Sequence, residues 1–258
     1  MKLSIITVNY NNLRGLKKTV ESVKNQTYQE FEYLVIDGGS TDGSVAYLKD
    51  KEITFDYWVS EPDKGVYQAM NKGIKKATGD YVLFLNSGDH FLNNKVLEKN
   101  IHFIQCEDMI YFNLQVVENS KTYIKKYPKT LSFSYFVKDT LPHPATFIKR
   151  NVFLKIGFYN EDFKIISDWK FFMDAICKQN VSYKYINEIL SIFYIGGLSS
   201  RPENRKIKYQ EKNQVLQTDY AIFTQDLDDV ISFRNTLNNL RESRIIKTLV
   251  KLGFLNKF

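Results

Sequence analysis

Residues 61–89 have the sequence EPDKGVYQAMNKGIKKATGDYVLFLNSGD. In the first half, apolar or small side chains recur at the spacing of one helix face, at Val66, Ala69, Met70, Gly73, Ile74 and Ala77. The second half contains a short apolar run, Tyr81–Leu85, which predicts a fully buried strand. This strand leads into a polar turn, Asn86–Asp89. A helix followed at once by a buried strand is typical of an α/β fold with a parallel sheet.

The same alternation extends towards the N-terminus. Apolar runs predict strands at Leu3–Val8 and Phe31–Ile36, and a third strand is predicted around Phe55–Val59. A short helix up to Lys49 is predicted between the last two strands. The helix between the first two has an apolar stripe at Leu13, Leu16, Val20 and Val23.

The pattern changes after residue 100. Strands rich in Tyr and Phe are predicted from Met109 to Val137, a helix over Ser167–Lys178, and strand structure again from Val181 to Ile195. From Pro202 onward the chain is charged and helical. The predicted class is therefore α/β, with a mixed, mostly parallel central sheet, helices on both of its faces and a helical C-terminal tail.

Composition excludes several classes of protein. The 258 residues are 43% apolar and 25% charged, so a disordered or collagen-like chain is excluded. Two cysteines without a CxxC spacing exclude a disulfide framework and a structural zinc site. No apolar run approaches the ~18 residues of a membrane-spanning helix. The first residues lack a full signal-peptide core. We expect a cytoplasmic protein whose net charge of +7 suits an anionic partner without identifying it.

Polar residues follow four of the predicted strands, at Asn9–Tyr10, Asp37, Ser60–Asp63 and Asn86–Asp89. Ligands of open parallel sheets bind at the carboxyl ends of the strands, so these segments predict one binding site. The alternative is that Asp, Asn and Gly only form turns and caps there.

Two nucleotide-binding signatures are absent from the sequence. No GxxxxGK[ST] P-loop occurs, and residues 38–43 are not GxGxxG because Ser40 stands at the second glycine position. Without a glycine-rich phosphate loop, a nucleoside diphosphate needs another countercharge. A divalent cation held by one or two carboxylates supplies it, and Asp89, which follows Gly88, is placed for that role.

Several segments together resemble family-2 glycosyltransferases with the GT-A fold, of the kind that assemble bacterial capsule, O-antigen or colanic-acid polysaccharides. The resemblance spans residues 1–200 and rests on the segments Thr7–Asn11, Asp37–Asp42, Glu61–Gly73, Phe84–Asp89, Leu141–Phe147, Ser167–Trp169 and Gly196–Ser199. It implies one glycosyltransferase domain, with residues 1–100 binding the nucleotide-sugar and residues 101–200 binding the acceptor. Residues 201–258 would form a helical extension.

The resemblance also implies roles for individual residues. Asp89 would be the metal ligand for Mn²⁺ or Mg²⁺, although Asn86 and Gly88 replace carboxylates that are common in the family motif. The carboxylate of Asp37 would accept from the base or the ribose. The residues implied in nucleotide-sugar binding are Thr7, Asn9, Tyr10, Asp37, Asp63, Lys64, Asn71, Asn86 and Ser87.

Asp168 matches the family's catalytic base, a carboxylate that takes the proton of the acceptor hydroxyl. The alternative for Asp168 is a helix cap or a first-turn carboxylate. His143 and Trp169 are implied near the acceptor or the diphosphate. Their alternatives are a structural histidine and a core tryptophan.

The function that follows is an inverting, metal-dependent transfer of a sugar from a nucleotide-diphosphate donor, most simply a UDP-sugar, to a glycan or lipid-linked acceptor. No nucleic-acid partner is expected. Residues 244–252 form a basic amphipathic helix, which favours peripheral contact with the inner face of the cell membrane or packing on the domain or a second copy. Two alternatives are a sugar-nucleotide nucleotidyltransferase and a non-catalytic nucleotide- or glycan-binding member of the fold.

Overall fold

The computed structural model describes residues 3–50, 54–119 and 121–256, without the side chains of 227 and 228. The chain forms two compact units, one ending at Glu211 and the other beginning at Lys212. The strands are β1 (Leu3–Asn9), β2 (Phe31–Asp37), β3 (Tyr57–Ser60), β4 (Tyr81–Phe84), β5 (His90–Phe91), β6 (Met109–Glu118), β7 (Lys121–Lys125), β8 (Thr146–Lys149) and β9 (Tyr183–Tyr194).

The helices of the first unit are short and lie between the strands. They are α1 (Leu13–Lys24), α2 (Ser44–Leu48), α3 (Val66–Lys76), α4 (Val96–Asn100), α5 (Phe133–Lys138), α6 (Arg150–Ile156) and α7 (Ser167–Cys177). Helix α8 (Arg205–Asp219) crosses the division between the units. The second unit continues with α9 (Ala221–Thr224), α10 (Leu227–Glu242) and α11 (Arg244–Lys251).

The strands form one mixed sheet in the order β3-β2-β1-β4-β8-β6-β9-β5, and β7 pairs with β6. The first four strands are parallel to each other, as is the long β6–β9 pair, whereas β8 is antiparallel to both of its neighbours. The predicted α/β class with a mostly parallel sheet and a helical C-terminal region is confirmed. Every residue of β1 and β4 is buried, as expected for strands covered on both faces.

The register of the parallel strands places the polar strand ends in one row. Asn9 pairs with Asp37, and Asp37 pairs with Ser60 on the next strand. The turn after β4 continues this edge, because Ser87 N–H donates to the carbonyl of Val8 at 3.0 Å. The carboxyl edge of the sheet therefore brings together the segments that the sequence singled out.

One secondary-structure prediction was wrong. The strands of the middle region end at Lys125, and Phe133–Lys138 is helix α5. Ser132 caps this helix, since its hydroxyl accepts a hydrogen bond from Tyr135 N–H at 3.2 Å. Phe136 is buried beneath it. The Ser132 cap and the burial of Phe136 stabilise a short helix here, although the β-propensity of the aromatic residues had suggested a strand.

The second unit is helical throughout its described part. None of the helices in the described ranges is long and apolar enough to cross a bilayer.

Candidate active site

Asp37 is the centre of a buried hydrogen-bonded frame at the end of β2. Its Oδ1 accepts from Asn9 Nδ2 at 2.7 Å and from Ser40 Oγ at 2.6 Å. Its Oδ2 accepts from Ser40 N–H at 2.9 Å and from Ser60 Oγ at 2.6 Å. The carboxylate is fully buried. The frame thus joins β1, β2, β3 and the turn after β2.

This frame changes the role predicted for Asp37. Burial alone would raise the pKa of Asp37, but the hydrogen bonds from Ser40, Ser60 and Asn9 together lower it below its ordinary value. Each carboxylate oxygen already accepts two hydrogen bonds, which is close to its full capacity. Asp37 therefore holds the carboxyl edge of the sheet in shape, and its contact with the base or the ribose stays a prediction.

A second carboxylate beside this frame is less completely engaged. Asp63, which precedes α3, has a side chain that is only 7% exposed, and the ammonium of Lys72 pairs with its Oδ1. Lys72 also pairs with the exposed Glu61, at 2.8 Å. Burial raises the pKa of Asp63, although Lys72 acts in the opposite direction. Lys64 lies at the surface next to this cluster.

Asp63 Oδ2 accepts no hydrogen bond from the part of the chain that the structure describes. Tyr10, at the end of β1, is 68% exposed and close to this oxygen: a Cβ on Gly38 would lie 3.2 Å from Tyr10 Cδ2 and 3.3 Å from Asp63 Oδ2. An exposed aromatic ring beside a buried acceptor is suited to contact a nucleobase.

The turn after β4 places Asp89 at the same edge. Gly88 has φ of +112°, a conformation that side-chain-bearing residues rarely adopt. Thr19 of α1 fixes the turn, because its hydroxyl donates to the carbonyl of Asp89 at 2.7 Å and accepts from Gly88 N–H at 3.0 Å. Ser87 Oγ accepts from Asn12 Nδ2 at 3.2 Å. These bonds hold the turn in place, and Asp89 is half-buried in it.

The side chains of this turn fit a hard divalent cation in part. Burial raises the pKa of Asp89 to about 8, an effect that a bound cation would reverse. Asn86 Oδ1 is buried without a partner among the described residues. Both are oxygen ligands of the type that Mg²⁺ and Mn²⁺ take. Over the described ranges, no three His, Cys, Asp or Glu side chains cluster as a metal site. A cation here would therefore depend on the phosphates of its ligand.

Asp168, in the first turn of α7, lies in a polar cluster. Tyr67 Oη is 2.8 Å from its Oδ1 and 2.6 Å from the carbonyl of Ile165, so its one proton is shared between these two acceptors. His143 Nδ1 is 3.4 Å from Oδ2 of Asp168. The carboxylate retains 23% exposure. No side chain caps α7 in the described chain, so Asp168 is not a cap; it is the first-turn carboxylate of the stated alternative, a position compatible with the role of a base. Two neighbours orient this carboxylate and leave part of it open.

His143 lies within this cluster, and its side chain is 11% exposed. Its Nε2 is 2.9 Å from Tyr159 Oη, and its other ring nitrogen faces Asp168. Burial lowers the pKa of His143 below its ordinary value, although Asp168 acts in the opposite direction. Both ring nitrogens face protein groups, so the structure places His143 where it can orient Asp168, and its contact with the acceptor or diphosphate stays a prediction.

The cluster around Asp168 lies near the end of β4. The His143 ring is 5.4 Å, between centroids, from the ring of Phe84, which is the last residue of β4. Asp89 is five residues further along the chain. The candidate base and the candidate cation ligand therefore belong to the same edge of the sheet.

Three other predicted site residues are structural. The Thr7 hydroxyl is fully buried and donates to the carbonyl of Leu85 at 2.7 Å. Asn71 Nδ2 donates to the carbonyl of Tyr159 at 2.8 Å, and its Oδ1 accepts from Tyr159 N–H at 3.0 Å. Trp169 is 2% exposed and its indole N–H donates to the carbonyl of Phe136 at 2.6 Å. The structure shows these internal hydrogen bonds, and the roles of the three residues in nucleotide and acceptor binding stay predictions.

Sequence reasoning missed the roles of Tyr67, Tyr159 and Ser40, and it included Ser60 only as the first residue of the segment Ser60–Asp63. Tyr67 is the second residue of α3, and it is one of the buried residues of that helix. Its position beside a predicted binding loop was the available signal. Ser40 and Ser60 have the sequence context of ordinary turn residues. No local pattern shows that their hydroxyl groups donate to Asp37.

The family model described as "Glycosyl transferase family 2" matches residues 4–168. An uncharacterized glycosyltransferase of Mycobacterium tuberculosis is 38% identical over 178 residues, which are 67% of this chain and 68% of that protein. S. aureus TarS 1-349, solved in complex with UDP, has a TM-score of 0.61 at 21% identity, over 76% of this chain and 61% of that one.

The mannosyltransferase PcManGT of Pyrobaculum calidifontis, solved with GDP-Man and Mn²⁺, has a TM-score of 0.57 at 13% identity, over 96% of this chain and 83% of that one. At these identities the two structures show the shared fold, GT-A, and no more. The family match covers the polar edge of the sheet, from β1 to Asp168. The fold, this edge and the sequence match agree, and the chain belongs to glycosyl transferase family 2.

Proposed function

We propose that this glycosyltransferase is an inverting enzyme that transfers a sugar from a UDP-sugar to a hydroxyl group of a glycan or lipid-linked acceptor in cell-surface polysaccharide synthesis. The observation that carries the proposal is the oriented carboxylate of Asp168 on the same sheet edge as Asp89. Catalysis is assigned to residues 1–200, and residues 201–258 are assigned as a helical extension. Membership of the family favours this activity over nucleotidyl transfer and over a purely binding role.

In the proposed reaction, the acceptor hydroxyl oxygen attacks the anomeric carbon of the sugar. The bond from that carbon to the diphosphate oxygen breaks, and the nucleoside diphosphate leaves with the bonding electrons. Asp168 takes the proton of the hydroxyl. Tyr67 and His143 orient its carboxylate, which removes rotational freedom before the reaction. A single displacement of this kind inverts the anomeric configuration.

Asp89 and Asn86 are the residues proposed to hold Mn²⁺ or Mg²⁺ against the donor diphosphate. A bound cation would neutralise charge that develops on the leaving diphosphate. The Mn²⁺ in the PcManGT complex and the UDP in the TarS complex support this assignment by analogy of fold alone. Ser87 and Lys64 are proposed at the phosphates, and Asn9 and Tyr10 at the nucleoside.

The decisive experiment measures UDP release from a panel of UDP-sugars with an acceptor extract and Mn²⁺. Asp168→Asn keeps the shape of the side chain but cannot accept the proton. We expect turnover to fall by about 10²–10⁴-fold at saturating donor. The matched control is Asp174→Asn on the same helix, where the carboxylate pairs with Lys170 and Lys178. Turnover of Asp168→Asn within a fewfold of wild type would remove the base from this proposal.

The C-terminal helix α11 is proposed to contact the membrane surface. Ile245 is 72% exposed, while Ile246, Leu249 and Val250 are half-exposed. Lys247 and Lys251 are exposed on the same helix. An apolar stripe beside basic residues is typical of helices that lie on anionic lipid. This contact would bring a cytoplasmic enzyme to a lipid-linked acceptor.

A further inference from the structure

Glu211 of α8 binds the loop that leads into the candidate base. This loop, residues 157–166, contains no helix or strand. Lys164 N–H donates to Glu211 Oε1 at 2.7 Å, and Ile165 N–H donates to Oε2 of the same carboxylate at 3.1 Å. One ionised side chain therefore holds two consecutive peptide groups, three and four residues before Asp168.

The first turn of α7 depends on this loop. Ile166 stands at the N-cap position of α7, where it offers no side-chain hydrogen bond to the helix. Without a cap, the direction of the first turn is set by the backbone that precedes it. The buried side chains of Ile165 and Ile166 anchor that backbone, and Glu211 fixes the orientation of its peptide groups. Glu211 thus takes part in placing Asp168, the second residue of α7.

A line of hydrogen bonds connects Glu211 to the carboxylate of Asp168. Ile165, whose N–H is bound by Glu211, accepts with its carbonyl from Tyr67 Oη at 2.6 Å. The same hydroxyl is 2.8 Å from Asp168 Oδ1. Tyr67 is 5% exposed, which leaves its hydroxyl little access to water. A movement of the Ile165 backbone would therefore change how the one proton of Tyr67 is divided between the carbonyl and the carboxylate.

We propose that Glu211 is a positioning residue for the candidate base, Asp168. It holds the backbone of Ile165, and the carbonyl of Ile165 holds the hydroxyl of Tyr67 beside the carboxylate. The inference rests on the proposed function and extends the catalytic part of the chain from residue 200 to Glu211, the last residue of the first compact unit. Glu211 itself contacts no reacting atom. Its effect is on rate, because misplacement of a catalytic group by about 1 Å can cost about 10²-fold in turnover.

The test is steady-state transfer by the full chain, with Mn²⁺ and the UDP-sugar of the panel that gives turnover. Glu211→Ala is expected to lower kcat about tenfold and to leave the donor KM and the calorimetric UDP affinity within about twofold, because no donor contact changes. Glu211→Gln keeps one acceptor oxygen and serves as a second variant in case Glu211→Ala does not fold; we expect a loss of about threefold in kcat. Gln210→Ala, an exposed neighbour on α8, is the matched control and should keep the wild-type kcat.

A double variant tests whether Glu211 acts through Tyr67. Tyr67→Phe removes the hydroxyl that connects the carbonyl of Ile165 to Asp168. On this route, Glu211→Ala combined with Tyr67→Phe should have a kcat within about twofold of Tyr67→Phe alone, whereas two independent tenfold effects would multiply to about hundredfold.

The outcomes separate the inference from the proposed function. If the wild-type protein transfers sugar and the two losses multiply, or if both Glu211 variants keep the wild-type kcat and lose only stability, the inference is overturned while the proposed function stands. If the wild-type protein transfers sugar from none of the UDP-sugars, the proposed function is overturned and the inference falls with it.

Discussion

Replacement of Asp37 by alanine removes the acceptor of four buried hydrogen bonds at the end of β2. The Ser40 and Ser60 hydroxyls can rotate towards other acceptors, but Asn9 Nδ2 and Ser40 N–H are fixed by the frame. Each fixed donor left unsatisfied costs about 1–3 kcal/mol. Asn9 Nδ2 keeps Ser40 Oγ as an acceptor at 3.2 Å, so its loss is partial, and we expect Asp37→Ala to lower the free energy of unfolding by about 3 kcal/mol. For a domain of this size, such a loss lowers Tm by about 10 °C.

The assay is urea unfolding of both proteins at pH 7, with Ser60→Ala as a control that loses one rotatable donor and about 1 kcal/mol. The hydrogen bonds lower the folded-state pKa of Asp37, so their contribution is present above the unfolded pKa of about 3.9 and is lost as pH falls through the folded value. The difference between wild type and Asp37→Ala should therefore shrink below about pH 4. A loss under about 1 kcal/mol at pH 7, together with weaker UDP binding, would refute this reasoning and restore Asp37 as a direct nucleotide contact.

Three further predictions follow from the site and the tail. Tyr67→Phe removes the hydroxyl that lies 2.8 Å from Asp168, and kcat should fall about tenfold while the donor KM stays unchanged in steady-state assays. Asp89→Ala should abolish the part of UDP affinity that depends on Mn²⁺ and leave the cation-free affinity intact by calorimetry; persistence of the Mn²⁺ effect would contradict it. Lys247→Glu with Lys251→Glu should prevent co-sedimentation with anionic vesicles, and equal binding to neutral vesicles would count against the membrane contact.

Much of the fold could be predicted because local pattern and tertiary role agree in the first hundred residues. Leu3–Asn9 is apolar and fully buried, as a central parallel strand must be. The stripe of α3 packs as its spacing predicts, with Ala69, Met70 and Ile74 buried. Helix α5 was missed because its six residues carry too little periodicity to outweigh their aromatic β-propensity.

The location of the candidate site was predicted more accurately than the contacts that its residues make. The carboxyl edge could be found from strand ends, since topology alone decides which segments meet there. Thr7, Asn71 and Trp169 were assigned to ligands because they lie in the matching segments, yet each is fully engaged inside the protein. Whether a polar group is already satisfied depends on partners up to a hundred residues away, which no local pattern contains.

The difference between Asp37 and Asp63 shows how that missing information bears on function. Both are carboxylates at the same sheet edge, and both have little or no exposure. Four donors surround the carboxylate of Asp37, which therefore joins three strands. A ligand would gain little by contacting this carboxylate. The second has one oxygen held by Lys72 and one without a donor, which leaves an unfavourable state that a ligand can relieve. Because Asp37 is already satisfied, it holds the carboxyl edge of the sheet in shape before any ligand binds.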